Sequence, residues 1–266
     1  MGAAQVRRIR LWQDRIETEI EIAGSGPPLL YLHGPWGLPS DRAFVAKLAT
    51  AFTVYAPRHP GTTPGEPEAA HVLDGWHDLV VYHCELLDRL KLDTPSIVGH
   101  SFGALVAAEL AAMAPKSVGR LVLIDPVGLW RDDYPVRNWM LLRDTERRPF
   151  LFADPEGEAA KQFFATPSDA DERVDMLAQF IWAQAATGKF VWPLADRGLK
   201  DRTHRIAAPT LIVWGKGDRI IDPVYAGEFA KRIAGARVEL IDHAGHLPHL
   251  EQFETVVKMV MGFLGG

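Results

Sequence analysis

One cysteine in 266 residues, Cys84, leaves no partner for an internal disulfide and too few thiolates for a structural zinc site. No stretch approaches the ~18 consecutive apolar residues of a membrane-spanning helix. Surplus positive charge is missing too: 29 Lys and Arg stand against 34 Asp and Glu, for a net charge of −5. The cationic surface required by nucleic acid or an anionic membrane is therefore not expected. Arg7, Arg8 and Arg10 are followed by no apolar run, so no secretory signal is expected. Gly2 is followed by Val6 where a myristoylation signal requires Ser or Thr. These absences point to a mildly acidic, soluble, cytoplasmic protein with no nucleic-acid or membrane partner. The apolar share, 47%, is enough for a well-buried core, and the length suits one large domain or a domain with a subdomain.

Apolar periodicity organises most of the chain. Residues 6–12 and 16–22 alternate in the manner of a half-solvated antiparallel pair. Short continuous apolar runs at 29–32, 53–56, 96–98, 121–124, 210–214 and 238–241 read as buried strands, eight strands in all with the first two. Helical spacing recurs at 41–52, 71–92, 102–113, 223–233 and 250–264. Strands alternating with helices imply βαβ units and a mainly parallel, doubly wound sheet. From 128 to 203 the rhythm breaks, with no comparable strand-like run. This segment, less than a third of the chain, holds eleven of its 25 aromatic residues. It reads as a helical cap (128–203) inserted after the sixth strand into a core made of 1–127 and 204–266.

Gly99-His100-Ser101-Phe102-Gly103 lies between a strand and a helix. A serine on so sharp a turn presents its hydroxyl, and flanking glycines remove side chains that would collide there. Chance alone would produce such a G-x-S-x-G pattern ~0.04 times in a chain of this composition. A serine hydroxyl is a weak nucleophile and needs a base, and the base needs an orienting acid. Asp218 follows the strand at 210–214, and His246 follows the strand at 238–241. Loops beyond the carboxyl ends of parallel strands converge on one crevice, so Ser101, Asp218 and His246 can meet there. Asp125, ending the strand at 121–124, is the competing acid.

These motifs resemble the α/β-hydrolase fold superfamily in its capped serine-hydrolase branch. The order serine, acid, histidine matches that family, and Gly245-His246-Leu247-Pro248 is similar to its histidine loop. The resemblance implies two backbone N–H groups that hold an oxyanion. Phe102 would supply one. The other belongs just after His33-Gly34, where Pro35 has no N–H, so Trp36 is the candidate. It further implies a carboxylesterase acting on small-molecule esters, with no cofactor or metal. A C–C bond hydrolase of the meta-cleavage type is the alternative, although His100 and Leu247 stand where that group favours Asn and Trp. A small-molecule receptor with vestigial catalysis is a third reading. Trp182 and Trp192, flanking the end of a cap helix, are the expected substrate-binding residues.

Other residues carry plainer readings. Asp222 precedes Pro223 as a helix N-cap. His243 and His249, spaced three residues on either side of His246 with Gly and Pro between, lack a nearby carboxylate set, and no metal is expected there. His100 reads as a packed, hydrogen-bonded core residue, Glu251 as a structural glutamate and Cys84 as a small core hydrophobe.

Overall fold

Ile97 and Val98 are neighbours on one strand, point to opposite sides of it, and are both completely buried. They belong to two separate apolar clusters, one on each face of the sheet. A strand with both faces buried must be apolar throughout, which is why these runs are continuous rather than alternating. In the computed structural model, residues 4–193 and 196–265 are described. The strands are β1 Gln5–Leu11, β2 Ile16–Ala23, β3 Pro28–Leu32, β4 Thr53–Pro57, β5 Ser96–His100, β6 Leu121–Ile124, β7 Thr210–Gly215 and β8 Arg237–Ile241. They form one eight-stranded sheet in the order β1-β2-β4-β3-β5-β6-β7-β8. β1 pairs with β2 and β2 with β4 antiparallel; all other pairs are parallel.

Helices cover both faces. They are α1 Arg42–Leu48, α2 Ala69–Val72, α3 Trp76–Leu90, α4 Phe102–Met113, α5 Asp144–Leu151, α6 Glu158–Phe163, α7 Ala170–Val191, α8 Val224–Arg232, α9 Pro248–Glu251 and α10 Phe253–Gly265. Leu79 and Leu86 of α3, Ala108 of α4 and Phe229 of α8 pack on the face of Ile97. Phe44 and Leu48 of α1 with Val256 and Val260 of α10 pack on the face of Val98. Between β6 and β7 the described residues contain helices and turns but no strand.

The single helix expected at 71–92 is two helices. Leu73 is extended, and the Asp74 N–H is taken by Oδ2 of Asp78 at 3.0 Å, so the side chain of the first turn ends the old helix and begins the new one. The helix expected at 250–264 likewise divides into α9 and α10 around Gln252. Asp222 behaves as a helix-start residue, its Oδ1 accepting the Val224 N–H at 2.9 Å. Among the described residues no helix is long and apolar enough to cross a membrane.

A row of buried histidines ties β3, β4 and α3 together beneath the site. His33 Nδ1–H donates to the Gly34 carbonyl at 2.7 Å, and its Nε2 accepts the His59 N–H at 3.3 Å. His59 Nε2–H donates to the His33 carbonyl at 3.0 Å, with its ring edge-on to His83 at 5.4 Å. His83 Nδ1–H donates to the Leu79 carbonyl at 2.7 Å. Burial lowers His33 and His83 from the ordinary 6.5 to about 4, and His59 well below its ordinary value. A histidine whose pKa falls on folding contributes stability that is complete above the ordinary value and lost as pH drops toward the folded one. Unfolding free energy is therefore expected to hold above pH 6.5 and to decline from there to about 4. The loss is roughly 3 kcal/mol for each fully shifted histidine. Urea titrations at stepped pH measure it. In His83→Gln, which cannot titrate, the slope over that window should fall by about one proton, and an unchanged slope would refute the assignment.

Candidate active site

The turn at Ser101 follows from packing on either side of it. A Cβ on Gly103 would stand 2.0 Å from the Leu32 carbonyl oxygen, so α4 can begin this close to β3 only with glycine there. Between β5 and α4 the chain reverses at Ser101 itself, at φ 51° and ψ −109°, a region that non-glycine residues enter only when surroundings over-determine them. Ser101 N–H donates to the Ile124 carbonyl at 2.8 Å, which holds the turn against β6. Phe102 is the first residue of α4, so its N–H has no partner within the helix.

Asp218 closes the turn after β7. Its N–H donates to the Gly215 carbonyl at 3.1 Å, and Gly217 N–H donates to the Ala244 carbonyl at 2.8 Å. A Cβ on Gly215 would lie 1.9 Å from the Gly245 carbonyl oxygen, which explains the glycine where the acid and histidine loops touch. Oδ1 of Asp218 accepts the N–H groups of Ile220 at 2.8 Å and Ile221 at 3.0 Å. The carboxylate is thus oriented by its own loop.

His246 is held at both ends of its peptide unit. Its N–H donates to the Leu151 carbonyl of α5 at 2.8 Å, and its carbonyl accepts Nε2–H of His100 at 2.9 Å. The Glu251 carboxylate accepts N–H groups from Gly245, Ala153 and Asp154, binding the histidine loop to the segment after α5. Its imidazole then bridges the other two residues: Nδ1–H donates to Asp218 Oδ2 at 2.7 Å, and Nε2 accepts the Ser101 hydroxyl at 3.0 Å. All three side chains are buried. Asp125 lies close by, with its carboxyl, that of Asp218 and a ring nitrogen of His246 all within 4.8 Å of one another. Asp218, not Asp125, receives the imidazole N–H.

The Trp36 N–H, expected as the second oxyanion donor, has no protein acceptor among the described residues. Its ring is 3% exposed, stacks on Phe180 of α7 at 5.9 Å and meets Phe163 of α6 edge-on at 6.3 Å. These aromatics, with Phe164, Met176 and Leu250, line a cavity of about 920 Å³ that neither Ser101 nor His246 reaches. Trp182 and Trp192 are not on its wall. Met176, Phe180 and Ala183 recur at the spacing of one helical face, and Trp182 turns away from that stripe, half-buried. Trp192 lies beyond the last turn of α7 and is 53% exposed.

One buried network was invisible in the sequence. His249 Nε2–H donates to Asp41 Oδ1 at 3.1 Å, across 208 residues, and the Tyr31 hydroxyl donates to Asp41 Oδ2 at 2.8 Å. Burial opposes ionisation of Asp41, but the His249 bond and charge outweigh it and hold the carboxyl down at about 2. The carboxylate missing beside His249 in the sequence is supplied by the loop before α1. Asp41 is already occupied by three donors, Ser40 included, as expected of a structural brace.

The sequence profile of the alpha/beta hydrolase family matches residues 29–259. The chain is 28% identical over 256 residues to pimeloyl-[acyl-carrier protein] methyl ester esterase of Aromatoleum aromaticum, covering 90% of this chain and 99% of that protein. It is 25% identical over 262 residues to 2-hydroxy-6-oxo-6-phenylhexa-2,4-dienoate hydrolase of Burkholderia cepacia, covering 91% of this chain and 89% of that one. Carboxylesterase CesB (YbfK) of Bacillus subtilis shares the fold, with a TM-score of 0.73 at 22% identity, covering 100% of this chain and 93% of that structure. With that match over most of its length, its mainly parallel sheet and the strand–turn–helix at Ser101, the chain belongs to the alpha/beta hydrolase family.

Proposed function

We propose that this protein is a serine hydrolase that cleaves carboxylic esters of small to medium acyl chains through an acyl-enzyme. The observation that carries this reading is one imidazole bonded on both sides, to Ser101 at 3.0 Å and to Asp218 at 2.7 Å. Ser101 Oγ attacks the ester carbonyl while His246 Nε2 takes its proton. Asp218 keeps Nδ1 protonated and stabilises the imidazolium that forms. The free N–H groups of Phe102 and Trp36 hold the oxyanion. His246 returns the proton to the leaving alcohol, then activates a water that releases the acid and restores Ser101. Each step is completed by the chain's own groups.

In this reading the segment 128–203 is a cap, and the cavity beneath it receives the acyl group. At about 920 Å³ with an aromatic wall, it is within the size range of small-molecule pockets. Ser101 is fully buried and lies off the wall of that cavity, so in this reading ester entry requires movement of the residues around it. The relative acting on a phenylhexadienoate, together with this aromatic wall, favours C–C cleavage as the second reading. A series of nitrophenyl esters assayed beside a meta-cleavage diketone separates the two, since higher kcat/KM on the diketone would reverse the order.

Ser101→Ala should abolish covalent labelling by a fluorophosphonate and lower kcat by on the order of 10³-fold or more, with the far-ultraviolet spectrum unchanged. Stoichiometric labelling of that variant would place the nucleophile elsewhere. Asp218→Asn should lose on the order of 10⁴ in kcat, by analogy with the serine-protease aspartate, because the imidazole then adopts the wrong tautomer.

Phe180→Ala should shift preference toward longer acyl chains. A buried methylene is worth ~0.8 kcal/mol, so the expected change is a few-fold in kcat/KM for each added carbon. Trp182→Ala, off the wall, should lower the melting temperature and leave the acyl-length profile alone. The opposite pattern would return the acyl site to the tryptophans.

A further inference from the structure

The site contains a carboxyl, that of Asp125, that takes no part in the proposed reaction. Asp125 ends β6 at φ 43°, its N–H donates to the Val213 carbonyl at 3.0 Å, and its Oδ1 accepts the Gly215 N–H at 3.0 Å. The side chain is completely buried, as is that of Asp218. Oδ2 of Asp125 receives a hydrogen bond from no donor among the described residues. Asp218 is differently supplied. Ile220 N–H, Ile221 N–H and His246 Nδ1–H fill three of the roughly four lone-pair positions of its carboxylate.

Two carboxylates within 4.8 Å in a dry site repel each other, which favours the state in which one keeps its proton. The distribution of donors decides which one. Three N–H groups stabilise charge on Asp218, whereas Asp125 has a single N–H and a bare oxygen. A hydrogen on Oδ2 of Asp125, directed to the neighbouring Asp218 carboxyl, would supply the fourth partner that Asp218 lacks and give the bare oxygen one of its own.

We propose that Asp125 is a neutral carboxylic acid whose Oδ2–H donates to the Asp218 carboxylate, making it a positioning residue that braces the orienting acid beneath His246. This rests on the reading of Asp218 as the acid that orients His246. Burial first, and then the charge of Asp218, push the Asp125 carboxyl well above the ordinary carboxylate range, with Glu251 adding in the same direction and the Gly215 N–H opposing. The groups that bear on it are thus Asp218 on the β7 loop and His246 and Glu251 on the segment after β8. The donated hydrogen also spreads the charge of Asp218, which limits how strongly that carboxylate holds the proton of the imidazolium.

Two variants and two readouts test this. Infrared difference spectra at neutral pH should show the carbonyl stretch of a buried protonated acid in the wild-type protein, and the band should vanish in Asp125→Asn. Absence of that band overturns the proposal, whatever the enzyme does. In Asp125→Leu, Asp218 loses its fourth partner and its charge is less spread. The acid limb of kcat/KM should then move to higher pH, with kcat down about 10- to 100-fold, the worth of a hydrogen bond to a charged group. Asp125→Asn keeps an N–H donor, so it should recover most of the loss and return the limb to the wild-type position.

If the limb in Asp125→Asn falls below the wild-type position, Asp125 carried a charge and the proposal fails. An unmoved limb in Asp125→Leu reduces the residue to packing and also defeats it. Should Asp125→Leu not fold, the band and the Asp125→Asn limb decide alone. A wild-type protein that cleaves no ester and takes no fluorophosphonate defeats the proposed function, and the infrared comparison still judges the carboxyl pair.

Discussion

Helix α4 starts so close to β3 that no side chain fits between them: a Cβ on Gly103 would stand 2.0 Å from the Leu32 carbonyl. The rest of the site depends on this close approach. It forces the chain to reverse within one residue after β5, and that residue, Ser101, is held in a sparsely populated backbone region with its hydroxyl turned toward His246. It also leaves the N-terminal amide of α4 without a helical partner. The strain at Ser101 is borne by parallel pairing on both sides, to β3 and to β6, with every residue from Ile97 to Ala112 buried.

Around that turn the interior is unusually polar. Histidines 33, 59, 83, 100, 246 and 249 are all buried, together with Asp41, Asp125 and Asp218. Buried polar groups are costly unless paired, and here almost every one has a named partner on a different loop. The pairing is what joins the loops: His100 fixes the His246 carbonyl, Glu251 fixes the histidine loop to the segment after α5, and Asp41 braces His249. Burial keeps His33, His59, His83 and His100 below their ordinary titration range, so this scaffold stays uncharged at neutral pH. The imidazole between Ser101 and Asp218 is thereby placed in a dry setting, where hydrogen bonds and charges act more strongly than in water.

The segment between β6 and β7 completes the environment in another way. Its aromatics pack on Trp36 and line one side of a cavity whose wall does not include Ser101. The cavity and the Ser101–His246–Asp218 cluster are thus separate features of the structure. Trp36, on the loop that carries the expected oxyanion donor, stacks on Phe180 of α7, so the wall of the cavity is built partly from that loop.

The eight strands, their mainly parallel arrangement and the three residues Ser101, Asp218 and His246 were legible in the linear chain. Each leaves a local signature: continuous apolar runs for strands buried on two faces, paired glycines around a turn too tight for side chains, and a polar residue just beyond a strand end. Contacts across long separations leave none. Asp41 finds His249 only because the His249 ring packs edge-on against Phe44 of α1 at 5.3 Å, and Asp125 meets Asp218 only because β6 and β7 pair in register. The aromatic richness of 128–203 was visible too, yet periodicity could not say which side of α7 would face the cavity. The packing of Phe180 on Trp36 decided that, turning Trp182 away and leaving Trp192 beyond the helix end. Local chemistry therefore resided in the sequence, because backbone geometry constrains neighbours, whereas the lining of the cavity and the proton balance of the acid pair were decided by tertiary packing, which alone fixes distances between remote side chains.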